Sequence, residues 1–296
     1  MKKSTKEIFK KHGWRIDRAI HNYIYFVFYY PYVKIILLSM RYGIRHLTWF
    51  KPLKYVGHFI FDRYHGKFLS YGDTRKILTL NEDIRAISDR NKKIIPYKYA
   101  YRIIIQNPKD IAVMDCPCKK STNAPDWSIN SCLYVGKGHE FWLEHCKKYN
   151  SRKISQKEAL DIIKAFRNKG YITQAFFKVS TGGSTAGVVC NCHPDSCVSL
   201  IATRVTRKLD KGLSHNAASG YSVAHNKGKC KKCLACLHSC HFGAIDFKGD
   251  VRTYDKDACL GCELCVEHCP HGALSLHRDP QKILPLDIDI VKERFI

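Results

Sequence analysis

The chain carries the same cysteine pattern twice near its C-terminal end. The pattern is C-x2-C-x2-C-x3-C, and each cysteine of the second copy lies 29 residues after its counterpart in the first. The copies comprise Cys230, Cys233, Cys236 and Cys240, then Cys259, Cys262, Cys265 and Cys269. Each copy continues to a Gly-Ala pair and a branched aliphatic residue, so the repeat is an internal duplication. Such dense cysteine spacing predicts a small unit folded around metal.

The spacing predicts two [4Fe-4S] clusters with crossed ligation. Three thiolates on one compact loop reach three irons of a cubane, while the fourth cysteine, at the start of the next element, points to the other cluster. We expect one cluster on Cys230, Cys233, Cys236 and Cys269, and the second on Cys259, Cys262, Cys265 and Cys240. Zinc is the alternative, because C-x2-C pairs also suit zinc ribbons, but the third cysteine and the trailing x3-C disfavour it.

Residues 225–277 resemble the bacterial-type two-cluster ferredoxins, through the eight spaced cysteines and Pro270 after the last of them. The resemblance implies a ferredoxin-type domain that transfers single electrons at low potential. One departure is His241, which follows the first motif where a proline often stands. Residues 244–247 and 251–254 flank Lys-Gly-Asp and predict a hairpin between the motifs.

Six cysteines ahead of this module predict a third metal site. Residues 111–115 predict a buried strand that ends at a C-x-C pair, and a second apolar run, from residue 188, ends at another. We expect the two pairs to converge, with Cys132 in a loop and His193 as a further candidate ligand or proton donor. The cofactor is an additional iron–sulfur cluster or zinc, and ordinary buried cysteines are the alternative. The candidate ligands are Cys116, Cys118, Cys132, Cys190, Cys192 and Cys197. Their order is similar to cysteine-rich modules of unknown activity that precede ferredoxin domains.

The charge of the chain is uneven along its 296 residues. Residues 1–229 carry 41 basic and 16 acidic side chains, whereas residues 230–296 carry 9 and 10, for a net charge of +24. The hydrophobic fraction of 45% excludes a disordered chain. An odd count of 15 cysteines without a signal peptide disfavours a secreted disulfide framework. We therefore expect a cytoplasmic protein whose basic body favours an anionic partner.

The sequence predicts an α+β protein, with a larger mixed α/β cysteine-rich domain ahead of the ferredoxin-type domain. Its predicted divisions are a basic aromatic segment (1–54), the cysteine-rich domain (55–222), the ferredoxin-type domain (223–280) and a C-terminal tail (281–296). The clearest helix spans residues 155–169, with Ser155 and Glu158 as a capping box. A second helix is expected over residues 81–95.

The apolar run over residues 23–40 raises the question of a membrane contact. Pro31, Lys34 and basic residues on both sides argue against a spanning helix. Two interpretations stay open: a segment that lies in the plane of an anionic membrane surface, and a helix buried against the rest of the protein. The first would place the protein peripherally on the cytoplasmic face.

Electron transfer is the function that these features favour. We expect two clusters to relay single electrons to or from a redox partner protein or the middle site. The alternative is a reductase in its own right, with a substrate-binding cluster in the middle domain, so the sequence leaves open whether the chain is a carrier or an oxidoreductase component. A nucleic-acid-binding iron–sulfur protein is disfavoured, since only basic and aromatic residues in the N-terminal segment and over residues 97–102 support it.

Overall fold

A seven-stranded sheet forms the centre of the chain. The computed structural model describes residues 1–44, 52, 55, 58, 64–87, 102–178, 187–206 and 214–295. In chain order the strands are β1 (Tyr64–Phe68), β2 (Ile84–Ile87), β3 (Arg102–Ile105), β4 (Ile111–Asp115), β5 (Asn130–Val135), β6 (Arg152–Ile154), β7 (Ile172–Lys178), β8 (Val188–Cys192), β9 (Asn216–Ala217), β10 (Tyr221–His225), β11 (Ile245–Lys248), β12 (Val251–Tyr254) and β13 (Leu274–Arg278). The sheet has the order β6-β4-β5-β8-β7-β1-β9, and only the β1–β9 pair is parallel.

Helices cover both faces of this sheet. In chain order the described helices are α1 (Lys3–His12), α2 (Ile16–Val27), α3 (Tyr29–Leu38), α4 (Tyr71–Leu78), α5 (Pro117–Ser121), α6 (His139–His145), α7 (Gln156–Asn168), α8 (Val198–Thr206), α9 (Ala235–His238), α10 (Leu264–Glu267) and α11 (Ile288–Phe295), of which α9 and α10 belong to the C-terminal unit. A π-helical turn, Ser39–Ile44, follows α3. No described helix is long and apolar enough to cross a bilayer.

Side chains on the sheet alternate between two cores. On β4, Ile111 and Val113 enter a core that also contains residues of α4, α7, α11 and the β2–β3 ribbon. Ala112 and Met114 enter the opposite core, which α2, α3 and α6 cover with aromatic side chains. Because successive strand residues point to opposite faces, one strand supplies both cores.

The predicted helix over residues 155–169 is confirmed as α7. The Ser155 hydroxyl accepts a hydrogen bond from the Glu158 amide at 3.1 Å, which satisfies one of the free N–H groups of the first turn. The helix expected over residues 81–95 is wrong where the structure describes it, because Ile84–Ile87 is strand β2, antiparallel to β3. The β-branched isoleucines of both strands favour this pairing. Residues 88–101, which include most of the basic aromatic stretch at 97–102, lie outside the described part.

Both terminal segments pack against the sheet domain. The apolar run over residues 23–40 is divided into α2 and α3, whose inner faces enter the aromatic core. At the other end, Leu286, Ile288 and Val291 lie in the opposite core. The division predicted after residue 222 falls inside β10, which pairs with β13 from Tyr221↔Arg278 to His225↔Leu274.

The buried position of α11 gives a stability prediction for residues 281–296. Ile288 is 2% exposed, so Ile288→Ala should lower the free energy of unfolding by about 2 to 5 kcal/mol, the cost of a core cavity. The matched change Glu293→Ala, on the exposed face of the same helix, should alter it by less than about 0.5 kcal/mol. Chemical unfolding of the anaerobically purified chain checks this. Equal effects of the two changes would mean that α11 does not contribute to the core.

Candidate metal centres

The duplicated cysteine loops share one backbone conformation. Residues with a left-handed φ repeat at the 29-residue offset, and α9 and α10 occupy equivalent positions. The pairs, with φ in degrees, are Lys232 (55) and Gly261 (66), Leu234 (61) and Glu263 (72), and Gly243 (65) and Gly272 (57). Three of these six residues are not glycine, and residues other than glycine rarely adopt a positive φ of this size. The duplication seen in the sequence is therefore also a duplication of loop geometry, and the hairpin predicted between the copies is confirmed as β11–β12.

Each loop borders a cavity that four cysteines share. The two cavities open to solvent and are similar in size, with about 330 Å³ and about 340 Å³ of empty space that includes their open mouths. The cysteines lining the first are Cys230, Cys233, Cys236 and Cys269. Those lining the second are Cys240, Cys259, Cys262 and Cys265. The fourth cysteine of each motif thus lies in the cavity of the other motif.

Backbone amides point at the two crossed cysteines. The Ala244 amide donates to Sγ of Cys240, and the Ala273 amide donates to Sγ of Cys269, both at 3.3 Å. Burial raises the pKa of the Cys262 thiol to about 12. A thiolate in this place therefore requires a bound cation, and N–H donors to sulfur stabilise such ligands. Four cysteines around one cavity, with N–H···S bonds, suit a [4Fe-4S] cluster.

The six middle cysteines also come together. Strand β5 lies between β4 and β8, so Cys132 stands opposite Cys190, with 3.7 Å between their sulfur atoms. Cys116 and Cys118 follow the last residue of β4, at the end of the strands where Cys132 and Cys190 lie. Cys197 directly precedes α8. The expectation that Cys132 lies in a loop is wrong, because its neighbours Leu133 and Val135 continue β5 into the core.

Hydrogen bonds between sulfur atoms couple these cysteines. Hydrogen bonds from Cys190 and Cys197 lower the pKa of Cys192 to about 5. The hydrogen bond with Cys116 raises the pKa of Cys118. Among the described residues, no group of three or more Cys, His, Asp or Glu closes to the spacing of a single metal ion, and this includes the cysteines of both duplicated motifs.

A buried lysine, which the sequence analysis missed, accompanies the middle cysteines. Lys119 is 1% exposed, and its ammonium donates to the Ser128 carbonyl at 2.9 Å and the Ser131 hydroxyl at 2.8 Å. The nitrogen also lies 4.0 Å from the ring centre of Phe166. Burial lowers the pKa of Lys119, while the nearby cysteine sulfurs act in the opposite direction. A buried cation next to cysteines suits an anionic metal–thiolate group.

Arg167 joins the middle domain to the second duplicated motif. It lies at the end of α7, 2% exposed, and its Nε donates to Glu267 at 2.9 Å. Its Nη2 donates to the Cys262 carbonyl at 2.9 Å and lies 3.9 Å from Glu263. Its Nη1 donates to the Thr173 hydroxyl at 3.3 Å. One guanidinium thus donates hydrogen bonds both to the sheet domain and to the second duplicated loop.

The departure at His241 belongs to the same junction. The His241 Nε2 lies 2.7 Å from the Gly170 carbonyl at the end of α7, and its ring centre lies 5.0 Å from that of His193. Next to it, the ring of Phe242 meets Phe68 edge-on, with 5.3 Å between the centres. A proline at position 241 has no side-chain nitrogen to make this contact. His193, the further candidate of the sequence analysis, therefore lies between the middle cysteines and the duplicated unit.

Comparison with protein families bears on the C-terminal unit. Residues 229–273 match the family model of the 4Fe-4S dicluster domain. We therefore refer to this unit, by its similarity to that family, as the dicluster domain. The match indicates that the chain binds iron–sulfur clusters and suggests iron–sulfur electron transfer. No match was found among curated proteins. The family match does not extend to the cysteine-rich domain ahead of the dicluster domain.

The role of Arg167 gives a second stability prediction. Arg167→Met should lower the free energy of unfolding by about 3 to 5 kcal/mol, because it leaves Glu267 without its partner at a partly buried junction. The control Arg152→Met removes an exposed pair with Glu158 and should cost less than about 1 kcal/mol. Thermal and chemical unfolding measure both. Equal losses of unfolding free energy in the two variants would contradict a stabilising role for the buried Arg167–Glu267 pair.

Proposed function

We propose that this chain relays single electrons through two [4Fe-4S] clusters in the dicluster domain to or from a third iron–sulfur centre on the middle cysteines, with a separate redox protein as donor or acceptor. The main observation behind this proposal is that six cysteines come together from three segments of the chain, at residues 116–118, 132 and 190–197. Bound clusters would take up and release one electron at a time. The proposed ligand sets in the dicluster domain are the two crossed quartets that line its cavities.

One continuous apolar core supports the proposed route. It contains Cys116, Cys190 and Cys192, and Cys262 of the second cavity packs against it. Phe242 lines that cavity and packs against the same core. The second cavity is therefore the one that adjoins the middle domain. Such packing excludes water and keeps the two groups of cysteines at a fixed separation.

Lys119 would adjust the electrostatics of the middle centre. A [4Fe-4S] centre with four thiolate ligands is anionic, and it becomes more negative by one charge when it takes an electron. A buried ammonium therefore stabilises the reduced state more than the oxidised state. In this role Lys119 raises the reduction potential without contributing a ligand.

The metal content of the intact chain tests the proposal. After strictly anaerobic purification, three cubanes predict about 12 iron and about 12 acid-labile sulfide per chain, and two predict about 8 of each. A zinc ion on the middle cysteines would instead give about 8 iron and about 1 zinc, since tetrahedral ligation at about 2.3 Å places thiolates about 3.8 Å apart. The sulfur atoms of Cys132 and Cys190 lie 3.7 Å apart, close to that spacing. Zinc content must therefore be measured together with iron, because zinc is the metal that could replace the third cluster. About 8 iron per chain, with or without zinc, would contradict the third cluster.

The middle ligand set is tested by substitution. The double change Cys116→Ser and Cys192→Ser should lower the iron content by about four per chain and leave the clusters of the dicluster domain in place. The control is Cys146→Ser, because Cys146 is equally buried but donates to the Phe26 carbonyl and belongs to neither group. Unchanged iron in the double variant, measured with electron paramagnetic resonance of the reduced protein, would refute the site.

The role of Lys119 is tested by potentiometry. Lys119→Met should lower the reduction potential of the middle centre by on the order of 50 to 100 mV, as expected for loss of a buried cation at an effective dielectric of about 20. The neighbouring change Lys120→Met removes an exposed cation and should have a much smaller effect, because solvent screens it. A redox titration that shows equal shifts would contradict the assignment.

A further inference from the structure

Helix α2 has two apolar faces, one buried in the aromatic core and the other about half exposed. Ala19, Tyr25 and Phe26 are buried on the inner face. On the other side Ile16, Ile20 and Ile24 lie one turn apart, with exposed fractions of 53%, 46% and 44%. An isoleucine at every turn of an exposed face is unusual for a helix that faces water alone.

The exposed apolar face continues beyond α2. Phe28, at the junction with α3, is 50% exposed, and Ile35 and Leu38 of α3 are 66% and 47% exposed. The opposite side of α3 buries Tyr29 and Val33 in the same aromatic core that receives α2. Both outer faces therefore point away from that core. We call this surface the apolar strip, and its members are Ile16, Ile20, Ile24, Phe28, Ile35 and Leu38.

The segment that carries the apolar strip is strongly basic. Residues 1–44 contain nine Lys or Arg and two acidic residues. Lys3, Lys6 and Lys10 are exposed and share one face of α1, which packs on α2. Trp14, in the turn between these helices, is 99% exposed. One of the two acidic residues, Asp17, is held by the Arg15 guanidinium at 2.9 Å, which lowers the pKa of its carboxyl to about 2.

We infer that the apolar strip and the exposed cations of the same basic segment form a docking surface for an anionic lipid bilayer, with α2 and α3 lying in the plane of the interface. Isoleucine, leucine and phenylalanine would enter the boundary of the acyl chains, while lysines remain at headgroup depth. The excess of positive charge selects this occupant. A second copy of the chain brings the same excess to the same face, so the two copies repel each other.

Co-sedimentation of the full anaerobically purified chain with vesicles tests this inference. The chain should bind vesicles that contain phosphatidylglycerol roughly tenfold or more tightly than vesicles of phosphatidylcholine alone, and added salt should weaken the binding. The triple change Ile16→Ser, Ile20→Ser and Ile24→Ser should reduce binding to the anionic vesicles by roughly tenfold or more. The control Val251→Ser alters an apolar residue of the dicluster domain that is 65% exposed, more than any of the three isoleucines, and should leave binding unchanged.

A second variant separates loss of binding from loss of folding. Ile20→Asp changes one exposed side chain, and it should weaken vesicle binding while iron content and the unfolding midpoint stay at the parental values. Equal binding to neutral and anionic vesicles would overturn the inference, as would undiminished binding of both variants. A dimer in sedimentation velocity that the triple variant loses would overturn it in favour of self-association.

Discussion

The buried guanidinium of Arg167 is the interaction on which the junction between the two cysteine-rich parts depends. A charge at this depth is costly unless it is paired and fully hydrogen-bonded. Carboxylates, a carbonyl and a hydroxyl around it meet that requirement, and they come from both the sheet domain and the second duplicated loop. Because the Cys262 carbonyl is one of these acceptors, Arg167 also fixes the loop that lines the second cavity.

The alternation of side chains on the sheet determines what surrounds the middle cysteines. Cys190 and Cys192 are two residues apart on β8 and face the same side, together with Cys132 of the neighbouring strand. That side is the one covered by the aromatic helices at the N-terminus. The N-terminal helices therefore have two roles: their inner faces pack in the same core as the cysteines, and their outer faces form the apolar strip.

Local patterns in the sequence predicted the parts of the structure that local physics determines. The Ser155 cap, the strand over residues 111–115 and the hairpin between the motifs depend on neighbours in the chain and are confirmed. The strand at Ile84–Ile87 was missed because its partner, β3, lies about 20 residues further along. Arg167 and Lys119 were missed for a related reason. Each is an ordinary basic residue of a helix in the sequence, and its importance comes from burial against distant residues.

The two duplicated loops share one backbone conformation but differ in the residues and the solvent around them. Lys231, Lys232 and Arg252 line the first cavity, and Cys233 beside them is exposed. In the second cavity Cys259 and Cys265 are buried, and Cys262 packs against the aromatic core of the sheet domain. Cluster potentials respond to nearby charge and to solvent. Two loops with the same backbone conformation thus lie in different surroundings of charge and solvent because of packing alone. The symmetric repeat therefore has an inner end, against the sheet domain, and an outer end, next to solvent.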